Sequence, residues 1–294
     1  MEIKIAREIG YCYGVRDAIE AVIEEAESAD GKRKVYTFGP IIHNRQTVEE
    51  LESKHGIVTA NTPEEIEEAS TVVIRTHGIP LSSAEKLTSR QLKVVDATCP
   101  FVQKTQVRAK KFVDEGYYLV ILGKKQHPEV ISIAGVAEHC TIVEHEEDIE
   151  DVPRKPKIAV VFQSTVAFED FRWALPALAD HCYELNVLKT ICGVTITRQK
   201  RTEEIAREVE LMVIIGGKNS SNTKKLVDIS KRHCAKTHHI EGPDELDAID
   251  FTGVKVVGIG SGTSTPQSLV DEVVEKLHAI AIVGGEPCPA SGAR

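Results

Sequence analysis

Short hydrophobic runs recur along the chain, and several of them end in a glycine that polar residues follow. Runs of this length that are rich in β-branched residues predict buried strands, and the longer segments between them are typical of helices. Strands that alternate with helices predict parallel sheets. The clearest of these strand-and-turn segments lie at residues 35–39, 118–123 and 211–216.

A second series of strands and polar turns repeats with the first, at a spacing of about 90 residues, at 72–78, 158–165 and 256–266. The repeat predicts three small parallel-sheet α/β domains related by pseudo-threefold symmetry. We expect the first domain at 1–98, with the N-terminal strand and the Cys12 turn included. The second domain is expected at 99–191, the third at 192–282, and a mobile tail rich in Gly and Pro at 283–294.

Three cysteines occupy matching places in the repeat, each between a predicted strand and a predicted helix: Cys12, Cys99 and Cys192. A cysteine on its own is most often a small buried hydrophobe, and this interpretation stands for Cys140, Cys182 and Cys234. Three thiolates suit a soft metal centre, and they leave one iron of a four-iron cluster without a protein ligand. Cys288 lies in the predicted tail and is not expected to bind metal.

The polar turns follow the carboxyl ends of predicted parallel strands, where α/β proteins bind their ligands. Two turns, at 219–223 and 262–266, place hydroxyl and amide groups just before predicted helices, an arrangement that favours phosphate binding. Ordinary N-caps are the alternative explanation for these residues. Three histidines, His43, His77 and His127, add further donors at strand ends, so the sequence predicts a diphosphate pocket formed by these two turns and the histidines.

Glu129 is the carboxylate that these turns place two residues from one of the histidines, His127. In a dry cleft it could deliver protons to a reacting group. The alternative is a first-turn glutamate that the helix dipole favours.

Composition and charge narrow the classes of function. The chain has 294 residues, 41% of them hydrophobic, and a formal net charge of −9, which argues against a nucleic-acid-binding surface. It has neither an apolar run of the roughly 18 to 20 residues that span a bilayer nor the apolar core of a signal peptide, so we expect a cytoplasmic protein without a membrane partner. A CxxC motif and a P-loop are absent, and the glycines at 258 and 260 lack a third. Electrons would therefore come from another protein.

Together, these residues closely resemble the 4-hydroxy-3-methylbut-2-enyl diphosphate reductases, the LytB or IspH family. The resemblance runs over nearly the whole chain. It rests on the segments 10–12, 39–44, 96–100, 127–130, 198–199, 219–222 and 262–266.

This resemblance implies a trefoil of three α/β domains around a central 4Fe-4S cluster that Cys12, Cys99 and Cys192 hold. It implies that the hydroxyl of an allylic diphosphate binds the fourth iron and leaves as water, giving isopentenyl and dimethylallyl diphosphate in the last step of the methylerythritol phosphate pathway. A donor protein such as ferredoxin or flavodoxin would supply the electrons. Seven residues match the family's diphosphate-binding positions, which are His43, His77, His127, Ser220, Ser221, Asn222 and Ser264. Glu129 matches its proton-relay acid, with a hydroxyl from Ser164 or Thr165.

The sequence departs from the family's pattern at Ser164, where a threonine is usual, and at Gly193, Val194 and Thr197 after the third cysteine. Two other functions remain open at this point. One is a redox or iron sensor that keeps the cluster without chemistry. The other is an iron–sulfur hydro-lyase that needs no net electrons.

Overall fold

The computed structural model describes residues 1–29, 31 and 33–283. The tail predicted at 283–294 lies outside the described residues apart from Val283, and so does Cys288. The chain divides into two compact units. The C-terminal unit contains Met1–Cys12, His43–Arg45 and the described residues from Gly193 to Val283. The central unit contains Tyr13–Ile42 and Gln46–Cys192.

Twelve strands within the described residues form three four-stranded sheets, and all their pairings are parallel. This arrangement confirms the predicted α/β class. The strands are β1 (Glu2–Ile5), β2 (Val35–Phe38), β3 (Val58–Ala60), β4 (Thr71–Ile74), β5 (Lys93–Asp96), β6 (Tyr118–Leu122), β7 (Cys140–Val143), β8 (Lys157–Phe162), β9 (Glu184–Leu188), β10 (Leu211–Ile215), β11 (Thr237–Ile240) and β12 (Val256–Ser261).

Ten α-helices lie within the described part of the chain, nine of them between strands and one after the last strand, and none is long and apolar enough to cross a membrane. Among the same described residues, three short 3₁₀ helices lie at Pro63–Glu65, Glu146–Asp151 and Pro243–Ala248. The α-helices are α1 (Tyr13–Ala29), α2 (Arg45–His55), α3 (Leu81–Thr88), α4 (Pro100–Asp114), α5 (Pro128–Ala134), α6 (Phe168–Phe171), α7 (Ala174–Ala179), α8 (Gly193–Ala206), α9 (Ser221–Lys231) and α10 (Gln267–Val283).

The central unit holds two of the sheets, with strand orders β3-β2-β4-β5 and β7-β6-β8-β9. Strands β6 and β8 are inner strands, and almost all their residues are buried. Helices cover both faces of such a sheet, so its inner strands form continuous apolar runs rather than alternating ones. Strand β9 lies at an edge and exposes Glu184, Asn186 and Val187, which is consistent with the polar character of edge strands.

The C-terminal unit holds the third sheet, with strand order β1-β12-β10-β11. The sequence placed the N-terminal strand in the first domain, at 1–98, whereas the structure pairs it with β12 and sets Ile3 opposite Val257. The side chain of Ile3 packs against the core that contains Val257, which accounts for this pairing. The domain boundaries themselves stay a prediction.

This pairing makes the three sheets equivalent. Strands β5, β9 and β1 each occupy the edge beside the second inner strand, which is β4, β8 or β12. Each of the three edge strands is also the last strand before one of the three predicted ligand cysteines. The N-terminal strand β1 therefore serves as the edge strand that the described part of the third repeat does not supply itself.

Candidate active site

The backbone holds the three cysteines in the same way in each repeat. The Cys12 N–H donates to the carbonyl of Thr263 at 3.1 Å, the Cys99 N–H to Thr76 at 2.9 Å, and the Cys192 N–H to Ser164 at 3.0 Å. Each acceptor lies in the turn that follows the neighbouring inner strand. All three cysteines are half-buried and unbridged. The sequence pattern therefore corresponds to one local structure that is built three times.

Cys99 caps helix α4, and Pro100 fills the first helical position. Thiolates are stabilised at helix N-termini, where backbone N–H groups are unpaired. The helix α1 contributes Gly14 directly beside this thiol, because a Cβ built on Gly14 would lie 2.7 Å from Cys99 Sγ. Only glycine leaves the sulfur its present position.

The other described cysteines have different surroundings. Cys140, Cys182 and Cys234 pack against hydrophobic clusters, and burial raises the pKa of each thiol. Cys182 Sγ lies 3.5 Å from the carbonyl of Leu178, in a geometry in which the thiol donates. Neutral, packed thiols of this kind fit the small-hydrophobe interpretation that the sequence favoured for these three residues.

Glu129 is a buried carboxyl group, only 1% exposed, in the first turn of α5. Ser164 donates to it twice, from its N–H to Oε1 at 2.6 Å and from its hydroxyl to Oε2 at 2.7 Å. Burial raises the pKa of Glu129 to about 7, although the two hydrogen bonds from Ser164 oppose the shift. A group with this pKa can both donate and accept a proton near neutrality.

Thr165 is held by a different partner. The amide of Gln163 donates to the Thr165 hydroxyl at 2.7 Å, while its oxygen accepts the N–H of Lys124 at 3.0 Å. Gln163 is fully buried. Of the two candidate relay hydroxyls, the structure thus joins Ser164 directly to Glu129 and ties Thr165 to the turn after β6.

Two of the predicted histidines meet within the central unit. The rings of His77 and His127 are edge to face, with centroids 5.4 Å apart and an interplanar angle of 83°. His127 is the N-cap of α5, and its Nδ1 accepts the N–H of Glu129 at 3.3 Å. A neutral His127 that accepts at Nδ1 carries its proton on Nε2, which makes that nitrogen a donor.

In the C-terminal unit, helix α9 begins at Ser221, inside the segment 219–223 that the sequence predicted as a turn before the helix. Ser220 is the N-cap of this helix, and its hydroxyl oxygen accepts the N–H of Thr223 at 3.2 Å, as the N-cap explanation expects. Asn222 lies in the first turn and is 2% exposed. Among the residues that the structure describes, neither its amide nitrogen nor its amide oxygen has a hydrogen-bond partner. Leaving such groups unpaired costs free energy, which a bound ligand would recover.

His43 and Ser264 also belong to the C-terminal unit. His43 is half-buried, and a Cβ built on Gly217 would come within 2.5 Å of its carbonyl oxygen. Glycine at 217 thus allows the turn after β10 to approach the backbone of His43. Ser264 is half-buried in the turn between β12 and α10, and Ser221 is buried in α9.

Two functional candidates were given no role from the sequence. Gln163 fixes the hydroxyl of Thr165 in the turn after β8. Arg198 is a buried cation on α8. The buried residues of α8 recur at helical spacing, at 195, 198, 202 and 206. An arginine on this inward face was the available signal for Arg198.

Comparison with known proteins gives a consistent set of relatives. The family model described as LytB protein matches residues 3–278. A 4-hydroxy-3-methylbut-2-enyl diphosphate reductase of a Nitratiruptor species is 40% identical over 282 residues, which cover 96% of this chain and all of the relative. The enzyme of the same name from Aquifex aeolicus is also 40% identical and covers 95% of this chain and 97% of its own.

Two solved structures are similar over nearly the whole length. One is an (E)-4-hydroxy-3-methyl-but-2-enyl diphosphate reductase, described as the terminal enzyme of the non-mevalonate pathway. It is 39% identical, has a TM-score of 0.69, and is matched over 95% of this chain and 100% of its own. The other is the E-1-hydroxy-2-methyl-but-2-enyl-4-diphosphate reductase of Plasmodium falciparum, with 27% identity, a TM-score of 0.86 and coverage of 97% and 89%.

Proposed function

Because the chain belongs to the LytB family, we propose that it is an oxidoreductase that removes the hydroxyl group of (E)-4-hydroxy-3-methylbut-2-enyl diphosphate. Two electrons and two protons convert the substrate into water and either isopentenyl or dimethylallyl diphosphate. This is the last step of the methylerythritol phosphate pathway. The observation that carries the proposal is the buried Glu129 with a pKa of about 7, held by the Ser164 hydroxyl.

Cys12, Cys99 and Cys192 are proposed to hold one 4Fe-4S cluster. The donor set fits, because these three half-buried thiols share one backbone geometry while the other described cysteines are packed in apolar surroundings. Gly14 leaves room at the Cys99 sulfur, where any other residue would press on it. When bound, such a cluster supplies single electrons and an iron without a protein ligand, which is a Lewis acid toward a hydroxyl group.

The diphosphate is proposed to bind the three histidines together with the polar residues at the start of α9 and in the turn between β12 and α10. Asn222 supports this most directly, because its buried amide offers two donor hydrogens and an acceptor that the described chain leaves unused. Ser220, Ser221 and Ser264 lie at or near helix N-termini, where an anion is favoured. Neutral His127 would add its Nε2–H, and His43 and His77 complete the set.

The protonated carboxyl group of Glu129 is proposed as the proton source. Its neutral form is present at neutral pH because burial disfavours the charge. The Ser164 hydroxyl, 2.7 Å from Oε2, can pass the proton toward the leaving hydroxyl of the substrate. Thr165, which Gln163 fixes in place, is the second hydroxyl of this turn. Both are proposed as catalytic residues with Glu129.

The electrons are proposed to come from a small donor protein such as ferredoxin or flavodoxin in the cytoplasm. The chain lacks the complete glycine pattern of a dinucleotide-binding turn, which supports an external donor.

An anaerobic assay with a chemical reductant tests the proposal. Iron and sulfide are first counted on the purified protein, and loss of the allylic hydroxyl is then followed with and without reductant. We expect about four irons per chain and product formation that depends strictly on reductant. A loaded cluster without any substrate reduction would favour the sensor. Product formation without reductant would favour the hydro-lyase.

A further inference from the structure

Arg198 is a buried cation that lies among backbone oxygens rather than carboxylates. Its side chain is 3% exposed. One guanidinium nitrogen donates to the carbonyls of Ser261 and Gly262, at 2.9 Å each, and the other donates to the carbonyl of Gly10 at 2.6 Å. The Nε atom is buried, and no group in the described part of the chain accepts a hydrogen bond from it. Within the described residues Arg198 forms no ion pair.

These contacts surround the loop that carries Cys12. Gly10 lies two residues before Cys12, and its N–H donates to the Ser261 hydroxyl at 3.1 Å. Gly262 directly precedes Thr263, the residue that accepts the Cys12 N–H. The guanidinium fork of Arg198 therefore joins the backbone just before Cys12 to the turn that accepts the Cys12 N–H, all within the C-terminal unit.

The carbonyl contacts of Arg198 do not by themselves require a positive charge. Burial of a guanidinium group is costly, and it lowers the pKa of Arg198, while the negative charges of Cys12 and then Glu8 oppose that shift. A neutral amide could donate to the same carbonyls without this desolvation cost. The sequence instead keeps a full charge on the guanidinium group that binds the carbonyl of Gly10, two residues before a cysteine that is proposed to bind the cluster.

We propose that Arg198 is a positioning residue for Cys12 whose charge raises the reduction potential of the cluster. A reduced cluster carries one more negative charge than the oxidised one, so a nearby fixed cation stabilises the reduced form more. This inference rests on the proposed function, since it requires the cluster to be bound. It adds a residue that favours electron uptake without touching the substrate.

A redox titration of the anaerobic, cluster-loaded protein tests the inference. We expect Arg198→Gln to make one-electron reduction at least about tenfold less favourable, a shift of about 59 mV to more negative potential. Arg198→Lys keeps the charge without the fork and should stay near the wild-type potential. Arg201→Gln is the matched control, because Arg201 lies on the same helix but is partly exposed and pairs with Glu204 at 2.8 Å.

Each outcome of the redox titration either supports or overturns the inference. Equal potentials in the wild type, Arg198→Gln and Arg198→Lys would overturn the inference. Loss of the cluster from both variants would also overturn the role of the charge, because Arg198→Lys retains it and only the fork is missing. Loss from Arg198→Gln alone, with a wild-type potential in Arg198→Lys, would support it. A wild-type protein that binds no iron would instead refute the proposed function, so the two failures are distinguishable.

Discussion

Ser164 holds both oxygens of the Glu129 carboxyl group, one through its N–H at 2.6 Å and the other through its hydroxyl at 2.7 Å. The acid lies at the start of α5 and the serine lies just after β8, so two neighbouring inner strands of one sheet bring them together. The departure from threonine to serine at position 164 therefore keeps the hydroxyl in contact with the acid.

The first prediction concerns proton delivery. Glu129→Gln preserves the size of the side chain and an oxygen that can accept from Ser164, but the amide cannot release an acidic proton. We expect the variant to keep its cluster, bind substrate and accept electrons, yet to turn over at least about a hundredfold more slowly. Anaerobic turnover with a chemical reductant measures the effect.

Glu147→Gln is the control for this prediction, because Glu147 is exposed and lies on the 3₁₀ helix that follows β7, a strand of the same sheet. Its turnover should equal that of the wild type. A Glu129→Gln enzyme that turns over as fast as the wild type would remove the acid from the mechanism.

The second prediction follows from the pKa of Glu129, which burial raises from an ordinary value of 4.5 to about 7. Between these values the folded state binds more protons than the unfolded state, so the free energy of unfolding falls as pH rises. The slope from this one group is at most about 1.4 kcal/mol per pH unit. Glu129→Gln removes this pH dependence. The free energy of unfolding of the variant should therefore rise relative to that of the wild type as pH increases from 5 to 8.

Urea unfolding under anaerobic conditions, followed by circular dichroism at several pH values, measures this difference. Titrations common to both proteins cancel when the wild-type and variant free energies are subtracted. A difference that does not change with pH would mean that the carboxyl group is not protonated in the folded protein near neutrality.

The hydrophobic runs and the spacing of the repeat predicted three parallel sheets, and the comparisons confirm the predicted family. The sheet of the N-terminal strand was not predictable in the same way, because the pairing of β1 with β12 joins residues at opposite ends of the chain. Local periodicity contains no information on such a contact. The repeat did contain one indication. Among the described residues, the last unit has no strand after β12 that corresponds to β5 and β9 in the other two units.

Side-chain geometry at the site was predictable only in kind. The sequence placed hydroxyl groups at 164 and 165 beside each other, but the choice of Ser164 as the partner of Glu129 depends on how two turns face each other. The helical spacing of α8 could indicate that Arg198 faces inward, but not its contacts, because these are with three carbonyls that are distant in sequence. The ligand roles of the three cysteines stay a prediction.

The third prediction concerns these cysteines. Changing Cys12, Cys99 or Cys192 to Ser should lower iron content and visible absorbance to near baseline, because each removes one of three thiolate ligands. Cys140→Ser, Cys182→Ser and Cys234→Ser serve as controls and should keep their iron, since these thiols pack in apolar surroundings. Full cluster retention in Cys99→Ser would contradict the assignment.

The fourth prediction concerns the buried amide of Asn222. Its donor and acceptor atoms have no partner in the described chain, so its hydrogen bonds are available to a ligand. Asn222→Ala should weaken substrate binding by about 1 to 3 kcal/mol, the usual contribution of a hydrogen bond to a charged group. This corresponds to a loss of roughly 5- to 150-fold in affinity. Calorimetry with substrate and with free diphosphate measures it.

Two neighbours of Asn222 separate binding from folding. Asn219→Ala removes an exposed amide from the same turn and should leave the affinity unchanged. Ser220→Ala removes the N-cap of α9 and should lower the free energy of unfolding by about 1 kcal/mol. Asn222→Ala should cause no such loss, because it breaks no hydrogen bond within the described chain. If Asn222→Ala instead destabilises the ligand-free protein and binds diphosphate normally, Asn222 is a packing residue and the diphosphate lies elsewhere.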